Sequence, residues 1–246
     1  MMNFFYGIWD SFYYAFFEAQ RWKFYVGGLK NTLFMSAVAC IIGVVIGLVL
    51  AILKVSANSL SKPRGRRSLG GWLIRLGSGF ADLYTTVIRG TPLLVQLLIL
   101  YYGVFKTAPK EYAMWVAGLS FGINSGAYVC EIIRAGIQSI DRGQTEAGRS
   151  LGLNARQTMQ LVVLPQAVKN ILPTIFNEFI TLLKETSVAG YIALTDLTRA
   201  GDVVRSRVWT ITPLVISGLI YLILVILLTK VQGVLERRLG ASDRRL

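Results

Sequence analysis

The stretch NTLFMSAVACIIGVVIGLVLAIL, Asn31 to Leu53, holds 23 residues without a single charge. As an α-helix rising 1.5 Å per residue it extends about 35 Å, enough to cross the ~30 Å hydrocarbon core of a bilayer. Within it Gly43 and Gly47 form a GxxxG pattern that lets another helix approach closely, although a glycine-tolerant span facing lipid fits the same spacing. The rest of the chain agrees with a membrane setting. Of 246 residues 54% are hydrophobic and 16% charged, with a mean hydropathy of +0.54, against about 45–50% apolar and about 25% charged in soluble domains. Four to six spans with their loops consume the whole length, which leaves little for a separate soluble domain.

Outward from the first span, the formal charge of +13 decides between partners. A basic protein can meet nucleic acid or an anionic surface. Here the Lys and Arg residues gather between apolar runs, the mark of loops that stay in the cytoplasm, so nucleic acid is not a predicted partner and membrane lipid is. The chain contains no His, which excludes His-ligated metal sites and Ser-His or Cys-His nucleophile pairs. Cys40 and Cys130 sit in apolar segments without CxxC spacing, so neither a disulfide framework nor a redox motif is expected. No GxxxxGK[ST] loop is present, and energy from a nucleotide has to come through another chain.

Along the chain, residues 1–30 form an aromatic segment interrupted by Asp10, Glu18 and Arg21, read as an interfacial helix and not as a signal peptide. Spans follow at 31–53, 80–105, 112–133, 171–192 and 211–229. The inner loop 54–75 carries Lys54, Lys62, Arg64, Arg66, Arg67 and Arg75 and no acid. The second span is unusual. Its uninterrupted apolar run, Leu93 to Phe105, is too short to cross, so the span has to include Arg89-Gly90-Thr91-Pro92, which predicts a broken helix facing protein or water. The fourth contains Glu178, Lys184 and Glu185, and reads as a functional span or a re-entrant segment. A basic tail with Arg237, Arg238, Arg244 and Arg245 closes the chain. With the N-terminus out and the C-terminus in, the proposed inner segments hold 16 Lys and Arg and the outer ones 8, as the positive-inside rule requires. No repeat of roughly 20 to 50 residues is visible, which weakens an inverted-repeat carrier.

The most specific signal is cytoplasmic in this reading, at 141–168: Glu146-Ala147-Gly148, three residues, Gly152, nine residues, then Val162-Val163-Leu164-Pro165. Two short helices joined at a glycine turn fit it, with Glu146 opening the first, Gly152 permitting the reversal and Pro165 setting the entry into the fourth span. The pattern resembles the EAA loop of binding-protein-dependent ABC importer permeases, with Gly148 for the second Ala and Val162 for Ile. The stretches Arg89 to Gln96, Ala127-Tyr128, Glu131 to Arg134, Gly143-Gln144, Leu164 to Ala167 and Leu183 to Ser187 are similar to the polar amino acid branch of that family. The resemblance implies an all-α polytopic protein with the five-helix core of a type I importer. It also implies a second permease subunit forming a homo- or heterodimer, two ATPase subunits that bind ATP and Mg, an extracytoplasmic solute-binding protein, and residence in the bacterial cytoplasmic membrane. This chain would then be no enzyme and would hold no cofactor. Glu146, Ala147, Gly148, Gly152, Leu164 and Pro165 would form the peg for the ATPase.

Candidate substrate residues follow from charge. A carboxylate inside a span is a pathway group or has a partner there, and every polar amino acid brings an α-ammonium. Glu178 is the candidate to hold it, with Asn177 beside it, and Arg89 can receive the α-carboxylate in a bidentate fashion. Alternatively Arg89 and Glu178 pair with each other, or Arg89 reaches the inner interface. Thr91 and Gln96 follow by the same logic. Glu131 and Arg134, spaced i, i+3, hold the coupling segment or form a boundary ion pair. Lys184, Glu185, Thr186 and Ser187 read as dimer or gate contacts. Two other classes compete: a self-sufficient ion-coupled carrier or channel, which leaves the inner hairpin without a partner, and a membrane-embedded enzyme, for which paired carboxylates or His at useful spacing are missing.

Overall fold

The computed structural model describes residues 2–59 and 69–241, in which every regular element is helical. The basic residues Lys62, Arg64, Arg66 and Arg67 of the expected inner loop, and Arg244 and Arg245 of the tail, lie outside the described residues.

The aromatic N-terminal segment forms α1 (Met2–Phe16), but its second half is already part of the first long helix, α2 (Trp22–Ser59). Between them a short 3-10 turn at Glu18–Gln20 places Ala19 and Gln20 at positive φ. The expected segment 1–30 is therefore two elements, separated where the polar residues Glu18, Gln20 and Arg21 interrupt the apolar run.

Next come α3 (Leu69–Arg89) and α4 (Leu93–Leu98). The helix stops at Arg89 and resumes at Leu93. Gly90 takes up the turn, and Pro92, which lacks an N–H, cannot sit inside a helix without removing a hydrogen bond. The break expected at Arg89 to Pro92 is present. A π-helical turn, Ile99–Val104, follows α4.

The remaining helices are α5 (Ala113–Gln138), α6 (Arg142–Ser150), α7 (Ala155–Thr158), α8 (Leu164–Glu185), α9 (Leu197–Val208) and α10 (Thr212–Ala241). Among the described residues three helical stretches are long and apolar enough to cross a membrane: Glu18–Ala57, Lys110–Gln138 and Thr212–Gly240. The pair α3 and α4 adds a fourth if it is one broken span. By hydropathy α8 does not qualify, since Lys169, Glu178, Lys184 and Glu185 stand along it.

The chain divides into two compact units. The first takes residues 1–39, 93–121 and 180–229, and the second 40–92, 122–179 and 230–246. The core of the first gathers Ala15 and Tyr25 with Leu197 and Val204 of α9 and Ile216 of α10. Here α9 is an element that the sequence reading assigned to an outer loop. Its N-cap is Asp196, fully buried, whose carboxylate accepts from the backbone N–H groups of Thr198 (2.8 Å) and Arg199 (3.3 Å).

The second unit is organised around Leu50, Ala51, Ala81, Val129, Cys130, Ala167 and Ile171. In it α2 meets α5 through the GxxxG pattern. A Cβ at Gly43 would lie 2.9 Å from Ser125 Cβ and one at Gly47 2.6 Å from Val129 Cβ, so the glycines admit a helix of the same chain.

Candidate functional site

Both residues weighed most heavily for the substrate lie in the second unit, and α3, α5 and α8 present them to one cavity of about 530 Å³. Arg89, the last residue of α3, places its guanidinium 5.4 Å from the ring centroid of Tyr128 on α5. Glu178, on α8, accepts a hydrogen bond from Ser125 Oγ at 2.8 Å. Among the described residues no ion pair joins Arg89 to Glu178. Ser139, Asn170 and Thr174 add polar groups to the wall, with Asn170 Nδ2 donating to Ser139 Oγ at 3.0 Å.

The other candidates are not gathered there. Asn177 is exposed and does not line the cavity, because the residue next to Glu178 points about 100° away around the helix. Thr91 is exposed and its hydroxyl donates to Val87 O at 2.8 Å. Gln96 belongs to the other unit, on α4.

A second cavity of the same unit, about 490 Å³, is lined by Lys54, Ser78, Asp82, Thr85, Glu131 and Arg134, and again by Arg89. The sequence reading placed Lys54 among the solvated charges of an inner loop. Instead its side chain is only 8% exposed, and its ammonium reaches Glu131 at 2.8 Å, Asp82 at 3.0 Å and Thr85 Oγ1 at 3.0 Å. Arg134 grips the other Glu131 oxygen with Nε at 2.9 Å and Nη2 at 2.7 Å. The i, i+3 pair predicted from the sequence exists but is one half of a network spanning α2, α3 and α5. The missing signal is long-range: Lys54 and Glu131 are 77 positions apart, and no local spacing relates them.

The hairpin of 141–168 is present as α6, α7 and the start of α8. Glu146 does not open it. Helix α6 begins at Arg142 because the Asp141 carboxylate accepts from Gly143 N at 2.7 Å, which leaves Glu146 exposed in mid-helix. Gly152 reverses the chain at φ +86°, a left-handed conformation that strains any residue with a Cβ. A capping box then starts α7: Asn154 and Gln157 exchange side-chain to backbone bonds at 2.9 Å each. Gly148 is buried where a Cβ would come within 2.9 Å of Thr158 Cγ2, which accounts for glycine where the family pattern has alanine. Pro165 sits in the first turn of α8, preceded by a π-helical turn, Met159–Val163. Leu151 at the tip is 83% exposed and Leu161 66%.

Residues 69–241 match the family model described as binding-protein-dependent transport system inner membrane component. The chain belongs to this family. Among its relatives, an arginine transport system permease protein of Bacillus subtilis is 40% identical over 222 residues, covering 89% of this chain and 94% of that protein. A putative glutamine transport system permease protein of Rickettsia typhi is 38% identical, covering 88% and 93%. Among solved structures, a chain of an amino acid ABC transporter crystallised with histidines aligns with a TM-score of 0.76 at 39% identity, over 88% of this chain and 94% of that one. The MetNI methionine ABC transporter in an inward facing conformation shares the fold, with a TM-score of 0.71 at 20% identity and coverage of 90% and 98%. The chain is thus an all-α membrane permease with the type I importer fold. It is the non-catalytic component of its transporter, since in these systems the ATPase is a separate subunit.

Proposed function

We propose that this permease passes a polar amino acid across the bacterial cytoplasmic membrane, taking it from an external solute-binding protein. A second permease subunit and two ATPase subunits, which bind ATP and Mg, complete the transporter. Five spans, at 31–53, 80–105, 112–133, 171–192 and 211–229, run with the N-terminus outside and the C-terminus inside. The hairpin of 141–168 couples transport to hydrolysis, its exposed Leu151 and Glu146 entering a cleft of the ATPase.

One observation carries the substrate class: a guanidinium and a carboxylate of opposite charge face a single cavity without neutralising each other. Such a pair suits a zwitterion, with Arg89 holding the α-carboxylate and Glu178 the α-ammonium or a cationic side chain. Charges taken into a low-dielectric passage need partners, and these two residues supply one of each sign. The relatives named for arginine and glutamine support the same class.

The test is transport by Glu178→Gln and Arg89→Gln in a reconstituted complex, with assembly and basal ATP hydrolysis measured alongside. Each variant is expected to assemble and to lose about ten- to a hundredfold in transport, the worth of one charge-assisted hydrogen bond of about 1.5–3 kcal/mol. Normal transport by Glu178→Gln overturns the assignment. Transport that survives ATP depletion would favour a self-sufficient carrier instead.

A further inference from the structure

Arg89 is shared. It lines the cavity of Glu178 and Tyr128, and also the cavity of Lys54, Asp82, Glu131 and Arg134. Each cavity, at about 530 Å³ and about 490 Å³, is of a size that accepts a small molecule. Across the second cavity from Arg89 the carboxylates are unequal. Glu131 is 20% exposed and gripped by Lys54 and Arg134, whereas the Asp82 side chain is 66% exposed and, among the described residues, pairs with Lys54. The second cavity therefore repeats the chemistry of the first: the same guanidinium, and a different carboxylate able to take an ammonium.

The geometry points to a second substrate-holding site in this cavity, used in sequence with the Glu178 site: the α-carboxylate stays on Arg89 while the α-ammonium passes from Glu178 to Asp82. This rests on the reading of Arg89 and Glu178 given above and deepens it. Asp82 precedes Arg89 by seven residues on α3, about 10 Å along the helix axis toward its N-terminal end. That end follows the basic loop placed inside by charge, so the hand-over carries the ammonium end inward without freeing the carboxylate. Thr85 and Thr86 stand on the wall between the two charges and offer hydroxyls along the way. Lys54 keeps Glu131 and Thr85 when the incoming ammonium displaces it from Asp82, so no buried charge is stranded.

Substrate protection of single cysteines tests this in the assembled complex, turning over ATP in nanodiscs with its solute-binding protein, in a background without Cys40 and Cys130. Ser78→Cys reports on the Asp82 cavity and Thr174→Cys on the Glu178 cavity, each alkylated by a small thiol reagent with and without saturating L-arginine or L-glutamine. The expected result is at least threefold slower alkylation at both positions with the amino acid that is transported. Adding Asp82→Asn should abolish protection at Ser78→Cys and spare it at Thr174→Cys, and Asp82→Glu should restore it. Protection at Thr174→Cys alone overturns the second site and leaves the first standing. Protection at neither position overturns both. Protection at Ser78→Cys that persists in Asp82→Asn shows a conformational effect, and also overturns the proposal.

Discussion

Among single residues, Lys54 shows how position can reverse a charge's meaning. In sequence it heads a basic run and counts toward an inner loop; in the structure it is buried with its ammonium between Glu131, Asp82 and Thr85. Taking an ammonium out of water is costly, and these partners offset the cost, the buried Glu131 carboxylate above all. Removing either member of the Lys54–Glu131 pair leaves the other charge without its main partner. Lys54→Met and Glu131→Gln are each expected to cost about 1.5–3 kcal/mol, read as a lower thermal transition of the purified complex. The double variant should cost less than the sum, since both singles remove the same interaction. Additive losses would mean that the two residues act separately. Glu178 and Arg89 were legible because a charge inside an apolar run stands out locally. Ser125 and Tyr128, which position them, were not, because a serine or tyrosine in a span carries no such contrast.

The helices and their ends were legible to the extent that their signals are local. The glycine reversal at Gly152 and the break before Pro92 follow from backbone chemistry alone. The start of α6 is displaced from Glu146 to Arg142, although the Asp141 cap and the Asn154 to Gln157 box are patterns a sequence displays. Replacing Gly152 by Val forces a β-branched residue to φ +86°, and should open the hairpin. The expected product is an assembled, membrane-inserted complex whose ATP hydrolysis no longer responds to substrate, and a full response would show that the hairpin is not the coupling element. Gly47→Leu tests the other kind of glycine: it drives a side chain into Val129, and should destabilise by about 1–3 kcal/mol. The helix α9 escaped detection because three of its polar residues, Arg199, Asp202 and Arg205, read as loop while its buried face, Leu197, Ala200, Gly201 and Val204, is short. Asp202 lies between the two arginines at 2.7 Å from each, and the Arg205 hydrogen bond first, then the charge of both, holds its carboxyl below its ordinary value of 3.8. A lowered folded value means that the ion pairs stabilise α9 above pH 3.8 and lose that contribution as pH falls through the lower folded value. Because the arginines are half exposed, Asp202→Asn should cost at most about 1 kcal/mol at neutral pH and less in high salt. Hydrogen exchange of the α9 amides at neutral and acid pH would show it.

For the whole molecule, composition gave the class and hydropathy fell short of the count. Three described helices, or four with the broken pair, satisfy length and apolarity. The proposed fifth, around α8, fails because Lys169, Glu178, Lys184 and Glu185 are charges that a lipid-facing span cannot carry. Orientation rests on basic residues and is open to direct test with single cysteines in a variant lacking Cys40 and Cys130. Leu151, 83% exposed at the hairpin tip, and Trp209, 90% exposed after α9, sit on opposite sides of the membrane in the proposed topology. Leu151→Cys should react with an impermeant reagent only from the cytoplasmic face and Trp209→Cys only from the outer face; the reverse result inverts the molecule.

The π-helical turn ahead of Pro165 gives the hairpin's aim an unusual encoding. Proline cannot donate to Leu161 O, and its ring would press on that carbonyl in an ordinary α-turn; the wider turn, closed by Leu164 N to Met159 O, accommodates it with one surplus residue. Deleting Leu161 would close the wide turn into an ordinary α-turn and set the proline ring against the carbonyl four residues before it, bending the helix at the root of the hairpin. The direction in which the hairpin faces is thus stored as a residue count, so this segment should tolerate changes of letter far better than changes of length.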